Sequence, residues 1–173
     1  VLLSKKAEAS GMQVIDRHLE SVDVCQALRW GARLWVWYAR RRKVSHSFRG
    51  MDVSAFVRRE LRFSISRIVR LCMLQGAIQR FLKKCQPGEF YYYPIEYPFG
   101  RMLSWATATA SPATTRIGFQ MSIVSCRRLE QFMAPEEAST RAPFIRHAPI
   151  PDKILAEDAE AASVYQKAGY QGI

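Results

Sequence analysis

Three histidines, four cysteines and a dense run of arginines are the residues here whose types could do chemistry. His18, His46 and His147 fall in three separate segments, and each reads as a surface or core histidine rather than a catalytic base. Cys25, Cys72, Cys85 and Cys126 form no CxxC and no other short spacing of the kind a zinc site uses. We expect free thiols in a reducing compartment, and no metal. No glycine-rich phosphate loop of the GxxxxGK[ST] or GxGxxG type is present. Glu136-Glu137 and Glu157-Asp158 read as solvated charges. Nothing in this set argues for an enzyme.

The arginines argue for binding. Among 173 residues, 26 Lys and Arg oppose 15 Asp and Glu, a formal charge of +11 with pI near 9.9. Between positions 29 and 84 there are 15 basic residues against only Asp52 and Glu60, whereas from 129 onward there are 4 basic and 7 acidic. One segment therefore carries the positive field and calls for an anionic partner: an acidic protein face, a nucleic acid or an anionic membrane surface. Trp30, Trp35, Trp37 and Tyr38 are interleaved with it. Residues i and i+2 of a helix diverge by about 200°, so Trp35 and Trp37 cannot share a face, and one of them must point to solvent or to a partner.

The elements that would position these residues are helical. Residues 1–18 are a weakly patterned lead-in. Over 19–43 there is no proline, and Val24, Ala27, Leu28, Leu34, Trp35 and Tyr38 make a broad apolar face, with Arg40 to Lys43 at its carboxyl end. Asp52 is placed to cap a second helix whose face is Val53, Phe56, Val57 and Leu61, and Ser66 to cap a third running to about 84. In that third helix Ile68, Leu71, Cys72, Ile78, Phe81 and Leu82 form the buried stripe. The expected fold is mainly α, an antiparallel three-helix bundle over 19–85. A tail over 86–173 follows, rich in aromatics and proline at 86–100, with no independent core, an apolar piece at 117–124 and a short helix over 154–167 capped by Asp152. No stretch is long and apolar enough for a membrane span; the nearest, 102–126, is interrupted by Pro112 and Arg116.

The order of these pieces resembles the LYR-motif family of small mitochondrial three-helix proteins. Val57-Arg58-Arg59-Glu60-Leu61-Arg62 is similar to its helix-two signature, with Leu61 or Phe63 as anchor. The run from Arg67 to Gly76 is similar to helix three, with Gly76 as its central glycine. In the best register Leu28-Arg29-Trp30 stands at the name-giving motif, with the tyrosine missing and the arginine displaced, and Leu34-Trp35 is an alternative start. Phe81, Pro87, the aromatic run to Pro94, Pro98 and Gly100 resemble the tail of the family's subunit in the distal membrane arm of respiratory complex I.

The resemblance implies a non-catalytic accessory subunit on the matrix side of the mitochondrial inner membrane. It would dock an acidic acyl carrier protein and strap neighbouring subunits with its tail. It implies no cofactor of its own beyond the acylated phosphopantetheine carried by the partner, and no direct nucleic-acid contact. Arg29, Arg33, Arg40, Arg41, Arg58, Arg59 and Arg62 would face the carrier, and Leu28, Leu34, Phe56, Leu61, Leu71 and Ile78 would line a tunnel for the acyl chain. The alternatives are another LYR-type assembly factor and, from charge alone, an RNA-binding subunit of a mitochondrial ribosome.

Overall fold

The computed structural model describes residues 14–93, 98–120, 150–167, 169–170 and 172–173. Expectations placed on Cys126, Glu136, Glu137 and His147, on Pro94 and Tyr97, and on most of the lead-in lie outside these residues. The protein is mainly helical, 63% of the described residues, and divides into two compact units, Val1–Ala77 and Ile78–Ile173.

In the first unit a 3-10 turn, Ile15–His18, leads into α1, Ser21–Arg41. The Asp23 carboxylate accepts from the Glu20 amide at 2.9 Å, covering one of the amides that a helix start leaves unpaired. Asp23, Ala27 and Gly31, one every four residues, are the buried positions of α1. They face α2, a helix over Ser54–Cys85. A Cβ on Gly76 would stand 1.9 Å from Asp23 Oδ1, and one on Gly31 2.8 Å from Val69 Cγ2. Position 23 thus meets 76 and position 31 meets 69, so the two helices run antiparallel along a seam too close for larger side chains. Between them lies a small hairpin, β1 (Ser47–Phe48) against β2 (Met51–Asp52).

Two expectations change here. The helices expected over 53–62 and 66–84 are one helix of 32 residues, roughly 48 Å long. Ser66 does not cap a new start. Its hydroxyl donates to the Phe63 carbonyl at 2.8 Å, the back-bond by which a serine is accommodated inside a helix. No proline or glycine falls between 54 and 75 to stop it. The first unit is therefore a helical pair rather than a three-helix bundle. Asp52, by contrast, sits where its capping role requires, accepting from the Ser54 amide at 2.8 Å.

The second unit corrects the reading of 86–173 as an extended tail. Strand β3 (Glu89–Tyr92), helix α3 (Pro98–Ala110) and strand β4 (Thr115–Phe119) form a β-α-β crossover, with Glu89 opposite Thr115 and Tyr92 opposite Gly118 in parallel register. Strand β5 (Lys153–Leu155) adds in parallel to β4, giving the order β3-β4-β5, and α4 (Ala159–Lys167) follows. Tyr92, Met102, Leu103, Ala106, Ile117, Ile154 and Tyr165 are buried, a core of the unit's own. Asp152 caps no helix: its carboxylate takes the Arg116 Nε at 2.9 Å and the Arg116 amide at 2.8 Å, clamping β4 to the start of β5. The cap of α4 is Asp158, which accepts from the Ala161 amide at 2.7 Å.

Candidate anion-docking groove on the helical unit

Charge separates with the fold. Residues 1–77 hold 15 basic against 6 acidic side chains, and residues 78–173 hold 11 against 9. The positive field belongs to the helical unit.

Taking 100° per residue, the buried seam of α1 (Asp23, Ala27, Gly31) leaves Trp30 and Trp37 on one flank and Leu28 and Trp35 on the other. All four are large and exposed, Trp35 at 47% and Trp37 at 40%. On the Trp35 flank, the space between the two helices is a groove of about 690 Å³. Trp35 and Tyr38 wall it from α1; Arg58, Arg59, Arg62, Phe63 and Ser66 line it from α2, with Glu60 the single carboxylate. The Trp35 and Tyr38 rings meet edge to face at 5.6 Å, fixing that wall. On α2 the Arg67 guanidinium lies 4.0 Å over the Phe63 ring.

Among the described residues, none of Arg58, Arg59 and Arg62 is held in an ion pair. The nearby carboxylate of Asp52 is committed elsewhere: hydrogen bonds from Ser54, with smaller contributions from Arg58 and His46, hold it below the usual carboxylate range. Three permanently charged forks beside two aromatic walls can take carboxylates or phosphates in paired hydrogen bonds and pack the apolar part of the same ligand. The three guanidiniums act as fixed charges and donors, because a guanidinium does not give up its proton.

The expected anion-binding residues therefore divide. Arg58, Arg59 and Arg62 come together in the groove. Arg29, Arg33 and Arg40 point away from it along the outer side of α1, where Arg33 stacks 5.4 Å over Trp30 and Arg41 lies 5.1 Å over Trp37. Arg41 and Arg58 also border a smaller recess of about 120 Å³ with His46 and Leu61.

The expected acyl tunnel is not assembled. Leu28 and Phe56 are 64% and 66% exposed, Leu34, Leu61 and Leu71 are half-buried, and Ile78 is buried in the other unit. With two helices in place of three, no third helix of the first unit covers Leu28 or Phe56 among the described residues. Of the groove walls, Trp35 and Tyr38 were readable as interleaved rings and Phe63 only as an alternative anchor, and none as neighbours across the groove, since that pairing depends on the antiparallel register.

In parallel sheets ligands gather at the carboxyl ends of the strands. At that edge of the second unit, among the described residues, the polar groups satisfy one another. Tyr92 and Ser104 share a hydrogen bond, and Gln120 Oε1 accepts from the Glu157 amide at 3.0 Å. Cys25, Cys72 and Cys85 are free thiols, and no cluster of three or more His, Cys, Asp or Glu able to hold a metal occurs among the described residues. No helix of the described residues is long and apolar enough to cross a membrane. Compared with known proteins, the chain matches no family model, no curated protein and no solved structure.

Proposed function

We propose that the chain is a non-catalytic docking protein whose helical unit binds an acidic partner protein in the groove of Arg58, Arg59, Arg62, Trp35 and Phe63. In the form suggested by its resemblance to LYR proteins, the partner is an acyl carrier protein. The setting is then the matrix side of the mitochondrial inner membrane, with the chain serving as an accessory subunit of respiratory complex I. The observation that carries the reading is the convergence, on one aromatic-walled groove, of three arginines that form no ion pair among the described residues. Charge would orient the encounter, and the rings would supply the desolvated contact that holds it. Docking would use the groove face, not an acyl tunnel.

Reversing Arg58, Arg59 and Arg62 to Glu tests this. Affinity for an acidic carrier protein, measured by calorimetry with the full chain, should fall at least about a hundredfold, as truncating well-placed interfacial charges costs roughly 2–5 kcal/mol. Unchanged affinity would remove the groove from the account. A second reading, single-stranded RNA on the helical unit, is favoured by the arginine–ring stacks at Trp30, Trp37 and Phe63, which suit bases and phosphates alternately.

A further inference from the structure

The hairpin between the two helices exposes what a hairpin of this size would ordinarily hide. Its strands are two residues each, and its turn is Arg49–Gly50, both with positive φ (50° and 81°), the geometry of a type I′ turn. Flanking the turn, Phe48 and Met51 sit directly opposite one another and are 59% and 62% exposed. Val44, just before the hairpin, is also exposed.

The base of the hairpin is firmly held. The Val53 amide donates to the His46 carbonyl at 2.9 Å and the His46 amide to Ser54 Oγ at 2.8 Å. The apolar pair is thus presented on a fixed apex. Arg41, Arg42 and Lys43 lie just before it in the chain and Arg49 in its turn, while the hairpin's own carboxylate, Asp52, is engaged by Ser54. Arg49 occupies a left-handed position where Gly or Asn would fit without steric cost, and its guanidinium lies 5.5 Å over the Phe48 ring.

We propose that this hairpin is a peripheral membrane contact: Phe48 and Met51 enter the outer acyl region of an anionic bilayer while Arg41, Arg42, Lys43 and Arg49 meet lipid phosphates. Three observations choose a bilayer over a protein or a nucleic acid. Phe48 and Met51 are exposed side by side on a short turn, which suits a fluid surface better than a preformed pocket. The charges carried by the hairpin and the segment before it are predominantly positive, four cations against Asp52, complementary to anionic headgroups. Two strand residues and a turn stand about 7–10 Å proud at 3.3 Å per residue, matching the roughly 5–10 Å depth of interfacial insertion. Each basic residue near an anionic surface raises partitioning roughly fivefold, and an apolar anchor adds the second signal that stable attachment needs.

The test is co-sedimentation of the full chain with vesicles of phosphatidylcholine alone and of phosphatidylcholine mixed with phosphatidylglycerol. The chain should bind the anionic vesicles and not the neutral ones. Phe48→Thr with Met51→Thr keeps strand-favouring residues and should lower anionic-vesicle partitioning at least about tenfold. It should leave binding of an acidic protein in the groove unchanged, so the two proposals fail separately. Arg49→Asn suits the turn and should lower vesicle partitioning roughly fivefold, giving a readout even if the double variant is poorly folded. Equal binding to neutral vesicles, no vesicle binding, or a hairpin variant that loses protein binding but keeps vesicle binding would each overturn the proposal.

Discussion

Gly76→Ala should destabilise the helical unit, and the same substitution should stabilise it once Asp23 is removed. In an open helix position, alanine is favoured over glycine by about 1 kcal/mol. Here the three nearest atoms to an added Cβ all belong to Asp23, with Oδ1 at 1.9 Å and Cγ at 2.7 Å. Asp23 is only 3% exposed and holds the start of α1 through the Glu20 amide, so it cannot swing aside without losing that bond. Overpacking of this kind costs about 1–3 kcal/mol, and displacing the capping carboxylate adds about 1. The net loss for Gly76→Ala alone is therefore about 1–3 kcal/mol. In an Asp23→Ala background the clash is gone and alanine should gain about 1 kcal/mol, a coupling of at least about 2.

Urea unfolding followed by tryptophan fluorescence measures this directly. Trp30, Trp35 and Trp37 all lie on α1, so Trp105→Phe confines the signal to the helical unit. Additivity of the two substitutions to within about 0.5 kcal/mol would refute the antiparallel register of α1 on α2.

Two further outcomes concern the second unit. The Tyr92 hydroxyl is pushed up to about 12, chiefly by burial, the bond to Ser104 opposing. A raised value means the buried neutral form adds stability below pH 10 that is lost between pH 10 and 12, on the order of 3 kcal/mol at full loss. Alkaline unfolding of the wild type should be steeper than that of Tyr92→Phe, and equal pH slopes would contradict it. Burial raises the Asp152 carboxyl, but the Arg116 bonds outweigh this and leave it below the usual range. Its contribution is present above about pH 4 and disappears as pH falls through its own lowered value. Arg116→Gln should thus destabilise the unit at neutral pH, with the gap to wild type closing in acid; a gap that does not change with pH would exclude the ion pair as its cause.

How much of this could be read in the chain differs between the units. Helix α1 was legible from its periodicity and the absence of proline, and Asp52 from its place before an apolar period. The seam was half legible: Ala27, Leu34 and Tyr38 turn inward, but Val24, Leu28 and Trp35 stay out. Apolar pattern favours large side chains, whereas close helix approach selects Gly31, Gly76 and Ala27, whose value lies in what they lack. Ser66 suggested a break because a hydroxyl that can cap can equally bond backward within a helix. The parallel sheet was missed for a different reason. Phe90 to Tyr93 and the apolar start at Ile117 are strand-like, but Tyr91 becomes a strand residue only by pairing with Ile117, and β4 pairs with β5 across a longer interval still. Non-local pairing leaves no periodic trace in either segment alone.

The most direct test of the docking account is a pair of binding isotherms for the full chain, one with an acidic acyl carrier protein and one with a single-stranded RNA, each at low and at physiological salt. The account predicts saturable one-to-one binding of the carrier protein that survives physiological salt and is abolished by Arg58→Glu, Arg59→Glu and Arg62→Glu together. Carrier binding that is absent or indifferent to those three reversals, beside tight RNA binding that falls steeply with salt, would contradict it.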